Sequence, residues 1–254
     1  MNRSWLLVSE TFETLQGEGP RTGVPSLFIR LGGCNLHCEW CDTPYTWAFD
    51  QRHADMHNST AVPYDPTKEL HRIPLYTVVG RIFASGSMGN IRNIVFTGGE
   101  PLLQLTPMAA VISAANEYPK QNYTFEIETA GTIRPGELLN FENVYFNVSP
   151  KLGHSGNEIE LRRNISALRD LQVGRTVFKF VVTLHEDPQD QRNEIAEICE
   201  EADIPAHQVW LMPCGTTESE INEGLRYWAP WAIKNGWNLT GRQQITIWGD
   251  TRGT

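Results

Sequence analysis

The sequence predicts an α/β fold, an open or partial barrel of parallel strands joined by helices. Short apolar, β-branched runs recur along the chain, and many are separated from the next by a helix-length stretch. Several runs are apolar nearly throughout, as strands of a parallel sheet covered on both faces would be. Alternation of strand and helix makes right-handed βα crossovers the expected connection.

In chain order, strands are expected at Trp5–Ser9, Ser26–Leu31, Ile94–Thr97, Tyr123–Glu128, Val144–Val148, Thr176–Thr183 and Val209–Met212. Thr106 and Pro107 read as the N-cap and first-turn proline of a helix to about Tyr118. Pro188–Ala202 carries Ile195, Ile198 and Cys199 at helical spacing, and Ser219–Asn235 is similar. Residues 49–74 break the alternation with a polar, proline-punctuated segment holding His53, His57 and His71. A zinc site there is disfavoured for want of a cysteine or carboxylate at ligand spacing. A solvated insertion, a lid near the cysteines, is the better reading.

A chain of 254 residues can bury a substantial core, and a single domain over residues 1–254 is expected. A net charge of -9 argues against non-specific nucleic-acid binding. No run approaches a membrane span, and the N-terminus lacks a signal peptide's apolar core. Five cysteines, three of them clustered, do not make a disulfide framework. A cytoplasmic protein with a metal or redox site fits better.

The cluster is "CNLHCEWC", with Cys34, Cys38 and Cys41 in a C-x3-C-x2-C spacing. A structural zinc site needs a fourth ligand, and a disulfide or a Cys38–Cys41 redox pair leaves a thiol over. A cubane iron–sulfur cluster uses all three thiolates and leaves one iron open to a small molecule. Further on, "NIVFTGGEP" ends an apolar run in Thr97-Gly98-Gly99-Glu100, where two glycines permit close backbone approach and Glu100 offers an acceptor for an ammonium group.

The two segments together resemble the radical S-adenosylmethionine (SAM) superfamily. "ETFETLQGEG", "GVPSLFIRLGGCNLHCEWCDT", "FEIETAGT", "NVSPK" and "IWGDTRGT" narrow the resemblance to the 7-carboxy-7-deazaguanine synthases, along nearly the whole chain outside 49–74. That resemblance implies a modified radical-SAM barrel of about six parallel strands with reduced helices. It also implies a [4Fe-4S] cluster on Cys34, Cys38 and Cys41, with SAM on its open iron. The implied reaction contracts 6-carboxy-5,6,7,8-tetrahydropterin to 7-carboxy-7-deazaguanine with loss of ammonia, in deazapurine or queuosine precursor biosynthesis. Hydrogen abstraction by a 5'-deoxyadenosyl radical starts it, so no protein residue is expected to be catalytic beyond the cofactor ligands.

Residue roles follow by position. Arg30 would clamp the substrate carboxylate as a planar fork. Leu15, Gln16 and Gly17 through their backbone, and Glu18 as an acceptor, would read the pterin edge, with Thr97 and Gln244 as further substrate contacts. Thr43, in "CDT", would place its hydroxyl on Mg2+, which prefers hard oxygen ligands. SAM would be held by Trp40, Cys41, Asp42, Gly98, Gly99, Glu100 and Thr129. Ser149, Pro150 and Lys151, then Met212, Pro213, Cys214 and Gly215, would complete its cradle. The chain departs from the family at Ala130, often an asparagine, and at Gln244, often a histidine in a C-terminal strand. Implied partners are the pterin, an electron donor such as flavodoxin or ferredoxin, and a second copy in a homodimer, with no nucleic acid and no membrane. An activase installing a glycyl radical on a partner protein shares the cysteine spacing and the GGEP-like turn, but lacks reason for the Gln16, Glu18, Arg30 and Thr43 set. A non-catalytic metal-binding or scaffold protein has no reason to leave a coordination position open.

Overall fold

The computed structural model of the protein describes residues 4–57, 62–88, 90–118 and 122–254. The first elements are β1 (Trp5–Leu15), β2 (Pro25–Leu31), α1 (Gln51–Asp55), α2 (Pro66–Glu69), β3 (His71–Pro74) and α3 (Leu75–Met88). Next come β4 (Asn93–Gly98), α4 (Leu105–Asn116), β5 (Thr124–Thr129), β6 (Val144–Val148), α5 (Ile159–Arg162), α6 (Ile165–Leu171) and β7 (Thr176–Val182). The chain closes with α7 (Pro188–Glu201), β8 (Val209–Pro213), α8 (Glu218–Asn235), β9 (Asn238–Leu239) and α9 (Gln243–Trp248).

The strands form one sheet in the order β3-β1-β2-β4-β5-β6-β7-β8-β9. From β2 to β9 every pairing is parallel, while β1 lies antiparallel between β2 and β3. This is the partial barrel expected from the βα alternation, with an antiparallel edge that was not expected. β1 extends past Ser9 to Leu15 through "ETFETL", whose β-branched and aromatic residues suit a strand but whose scattered polar residues make no continuous apolar run. β3 and β9 are too short and too polar to signal themselves.

The sheet is not apolar on both faces. Along β2, β4, β5, β6, β7 and β8 one set of alternate residues is apolar and packs under the helices: Ile29, Phe96, Ile127, Phe146, Phe180 and Leu211 are fully buried there. Each such side chain contributes about 1.5–3 kcal/mol by leaving water. The alternate set is Arg30, Thr97, Glu128, Asn147, Lys179 and Met212, and it lines a cavity. A partial barrel needs helices outside only, so its inner face is free to carry polar side chains.

Helix α4 starts at Leu105 with Gln104 as N-cap, not at Thr106. Pro101–Gln104 already forms a 3-10 turn, so Pro107 falls inside the first turn, where a missing N–H costs no bond. Asp187 caps α7, and Thr217 with Glu220 makes a capping box on α8. Among the described residues no helix is long and apolar enough to cross a membrane.

Candidate active site

The cysteine loop leaves the end of β2 and is locked to the end of β4 by backbone alone. Gly99 N donates to Leu31 O at 3.0 Å and Glu100 N donates to Gly33 O at 2.8 Å. A Cβ on Gly98, at φ +125°, would lie 2.1 Å from Leu31 O, and one on Gly99 would lie 2.0 Å from Gly33 O. The two glycines therefore serve close approach to the cysteine loop itself. Glu100 corrects an expectation. Its carboxylate is fully buried, accepts from Leu102 N, Ala130 N and the Thr129 hydroxyl, and does not line the cavity. It shapes the turn after β4 and ties it to the end of β5.

Cys34, Cys38 and Cys41 all line the cavity, and each sulfur accepts an N–H bond. The donors are Leu36 N at 3.4 Å, Asn157 Nδ2 at 3.3 Å and Trp47 Nε1 at 3.3 Å, respectively. Burial pushes all three thiols up, Cys38 to about 11, so each holds its proton at neutral pH until a metal displaces it. Three soft ligands on one loop, each with an oriented donor and facing a shared cavity, suit an iron–sulfur cluster with one open iron. Thr43 is buried beside them, its hydroxyl 3.6 Å from Cys41 Sγ, and it also lines the cavity.

Strand register places the next residues. Glu10 of β1 sits opposite Arg30 of β2, and Arg30 sits beside Thr97 of β4. Arg30 Nε donates to Glu10 Oε1 at 2.8 Å, and Glu10 also accepts from the Tyr45 hydroxyl and Arg252 Nε. Burial works against the Glu10 charge, yet Arg30, Tyr45 and Arg252 hold its carboxyl below the ordinary range. The Arg30 Nη groups make no hydrogen bond among the described residues. Thr97 donates to Glu128 at 2.7 Å, and Gln16 Nε2 donates to Glu126 and Glu128. Burial, then the neighbouring Glu128 charge, pushes Glu126 up to about 7.

At the other end lies an ion cluster. Glu18 is paired with Lys179 and with Arg242, whose Nε stands 3.1 Å away, and it accepts from Gln244 Nε2 at 2.8 Å. Arg242 also reaches Asp42 at 2.6 Å. Burial alone would raise Glu18, but Lys179 and Arg242 outweigh it and hold its carboxyl down to about 2. Gln244 lies on α9, not in a strand, and its Oε1 is buried without a partner. A Cβ on Gly17 would lie 1.8 Å from that oxygen, so the Gln244 amide end packs directly on the glycine.

The "LQGEG" turn differs from expectation in one respect. Gln16 N and O bond Val24 O and Gly23 N, and Gly17 O accepts from Gln243 N, so these backbone groups are engaged inside the protein. The turn offers the cavity side chains instead. Leu15, Trp40, Asp42, Thr129, Ser149, Lys151, Met212 and Cys214 line the cavity; Pro150, Pro213 and Gly215 do not. Pro213 packs under Gly224 of α8, and Gly215 O accepts from Arg242. Lys179, Arg242, Glu128 and Asn147 were missed. Glu128 was legible, since "FEIET" puts two carboxylates on one strand face; Lys179 inside "VFKFVV" was a charge in an apolar run, the signal that singled out Arg30.

The 49–74 segment packs on the cysteine loop. His57 Nε2 lies 2.6 Å from Cys41 O, and His53 stacks on His37 with ring centroids 4.6 Å apart. Asp50 does stand beside His53, at 3.0 Å, contrary to the spacing argument, while His71 lies exposed on β3 opposite Val8. Residues 58–61 of this segment lie outside the described residues.

The profile of the 4Fe-4S single cluster domain family matches residues 15–172. With the cysteine loop at the mouth of a partial barrel, this defines an iron–sulfur enzyme of the radical SAM class. A 7-carboxy-7-deazaguanine synthase of Rhodopirellula baltica is 32% identical over 100% of this chain and 90% of its own length. One from Pyrobaculum aerophilum is 30% identical over 97% and 96%. The crystal structure of QueE from Escherichia coli matches with a TM-score of 0.65 at 26% identity, covering 95% of each chain. The chain belongs to the 7-carboxy-7-deazaguanine synthase family.

Proposed function

We propose that the protein converts 6-carboxy-5,6,7,8-tetrahydropterin to 7-carboxy-7-deazaguanine with loss of ammonia. The [4Fe-4S] cluster and SAM, when bound, supply a reducing electron and a hydrogen-abstracting radical. Cys34, Cys38 and Cys41 hold the cluster, and Trp40, Asp42, Gly98, Gly99, Thr129, Ser149, Lys151, Met212 and Cys214 surround SAM. The remaining steps of recognition fall to this chain's own side chains. The free Nη groups of Arg30 hold the substrate carboxylate, a pairing worth about 1.5–3 kcal/mol when charge-assisted. Gln244 and Asn147, whose amide oxygens are buried without a partner, line the same cavity and would turn those acceptors to the donor-rich edge of the pterin. Glu18 and Thr97 complete that wall, and the Thr43 hydroxyl takes Mg2+ as a hard oxygen ligand.

One observation carries the reading. A guanidinium with free donors and three cysteine thiols line a single cavity together with Glu18, Thr97, Asn147 and Gln244, so a carboxylated heterocycle would lie against the cofactor. An activase for a partner protein would leave these small-molecule contacts unused. A flavodoxin or ferredoxin as electron donor, a homodimeric state and a cytoplasmic location belong to the same proposal. Anaerobic reconstitution should give a brown protein that, with reductant, SAM and the pterin, forms a product with deazaguanine absorbance. A protein that cleaves SAM but leaves the pterin intact overturns the substrate assignment, and one that binds only zinc overturns the whole reading.

A further inference from the structure

We propose that Asn157 is a positioning residue that tunes the reduction potential of the cluster through Cys38. The inference rests on the cluster assignment above. Two of the three thiols receive their N–H from within or just after the cysteine loop, at Leu36 and Trp47. Cys38, the most buried of the three, receives its donor from a side chain 119 residues further along the chain.

The segment after β6 is a strap folded over the outside of the cysteine loop. Glu39 N donates to Ser155 O at 3.1 Å, and Trp40 Nε1 donates to His154 O at 2.9 Å. Asn157 clasps the loop from both ends of its amide. Its Oδ1 accepts from His37 N at 2.8 Å and its Nδ2 donates to Cys38 Sγ at 3.3 Å. Nδ2 also reaches Ser155 O and Oγ, each at 3.3 Å, so the sulfur shares the amide's two N–H groups with Ser155, and a flipped amide would lose the His37 and Cys38 bonds together. Gly156, at φ +77°, lets the strap turn where a Cβ would lie 2.4 Å from the Glu39 carboxylate. Arg162 fixes the strap from behind, donating to Asn157 O at 3.1 Å and Lys151 O at 3.0 Å while paired with Glu194 of α7.

Reduction adds an electron whose charge spreads onto the sulfurs. An N–H dipole held against a cysteine sulfur stabilises that added charge and raises the potential. A neutral amide does this without introducing a cation that would compete with the substrate groups. Asn157 therefore makes the cluster easier to reduce without touching SAM or pterin.

The experiment is a redox titration of the anaerobically reconstituted protein, followed by EPR of the reduced cluster, with iron content measured on each sample. Asn157→Leu removes the bonds to His37, Cys38 and Ser155; Asn157→Asp keeps the acceptor for His37 N and replaces the donor with a carboxylate. Both should hold as much iron as the unaltered protein and show a midpoint shifted to more negative potential, further for Asn157→Asp. An unchanged midpoint at full iron overturns the proposal. A reading free of variants comes from the unaltered protein labelled with 15N at asparagine side-chain amides, where pulsed EPR of the reduced cluster should show a nitrogen coupling. Absence of that coupling overturns the proposal whatever the variants do. Failure of the unaltered protein to hold iron overturns the cluster assignment, and the inference with it.

Discussion

Removing the Lys179 charge by Lys179→Met leaves Glu18 buried with one partner fewer. Both side chains are nearly enclosed, at 6% and 13% exposure, so solvent does little to screen the pair. Breaking a buried pair from one side costs about 3–5 kcal/mol. Arg242 and Gln244 still hold the other Glu18 oxygen, which puts the expected loss near 3 kcal/mol, at the lower end of that range. For a chain of this size about 2–4 °C accompanies each kcal/mol, so the melting temperature should fall by about 6–12 °C at pH 7. The loss depends on pH. Glu18 is held down to about 2 against its ordinary 4.5, so its contribution is present above pH 4.5 and fades as pH falls toward 2. The gap between the unaltered protein and Lys179→Met should therefore close in acid. Anaerobic thermal unfolding of both, and of Glu18→Gln and the double variant, gives the coupling energy, expected at about 1.5 kcal/mol or more. Additive effects, or a melting temperature within about 2 °C of the unaltered protein, would refute the reasoning.

Arg30→Ala should raise the pterin KM by about 10- to 100-fold, as expected for losing a charge-assisted carboxylate contact, with iron content unchanged. Glu126, pushed up to about 7 from 4.5, favours the folded state below pH 4.5 and loses that contribution as pH rises through 7. Glu126→Gln should accordingly flatten the pH profile of stability, gaining up to about 3 kcal/mol relative to the unaltered protein at pH 8 in denaturant titrations. Gly99→Ala should push the end of β4 off Gly33 and lower the iron taken up on reconstitution, whereas an unaffected cluster would show that the approach is not needed.

The parallel strands were legible because their core faces are apolar and β-branched; Val144–Val148 is found at the expected bounds. β1 was half legible, since its second half carries no apolar run or alternation and signals only once β2 is known to lie beside it. The cysteine loop and Arg30 stand out because one short segment carries them to the same cavity; Thr43 lines it too, but by residue type alone it reads as a turn. The ion cluster of Glu18, Lys179 and Arg242 joins residues far apart in sequence, and only the order of the sheet brings them together. Asn157 is likewise invisible, an ordinary loop asparagine until the strap carries it to Cys38. Glu100 shows the opposite failure: a motif residue expected to meet a ligand instead holds the turn that shapes the site.

The central claim is that one cavity sets a carboxylated pterin against a cluster-bound radical source. Anaerobic turnover of the reconstituted protein with SAM and perdeuterated 6-carboxy-5,6,7,8-tetrahydropterin, read by mass spectrometry, tests it directly. The account predicts deuterium in 5'-deoxyadenosine together with 7-carboxy-7-deazaguanine and ammonia. Unlabelled 5'-deoxyadenosine beside an intact pterin would contradict it.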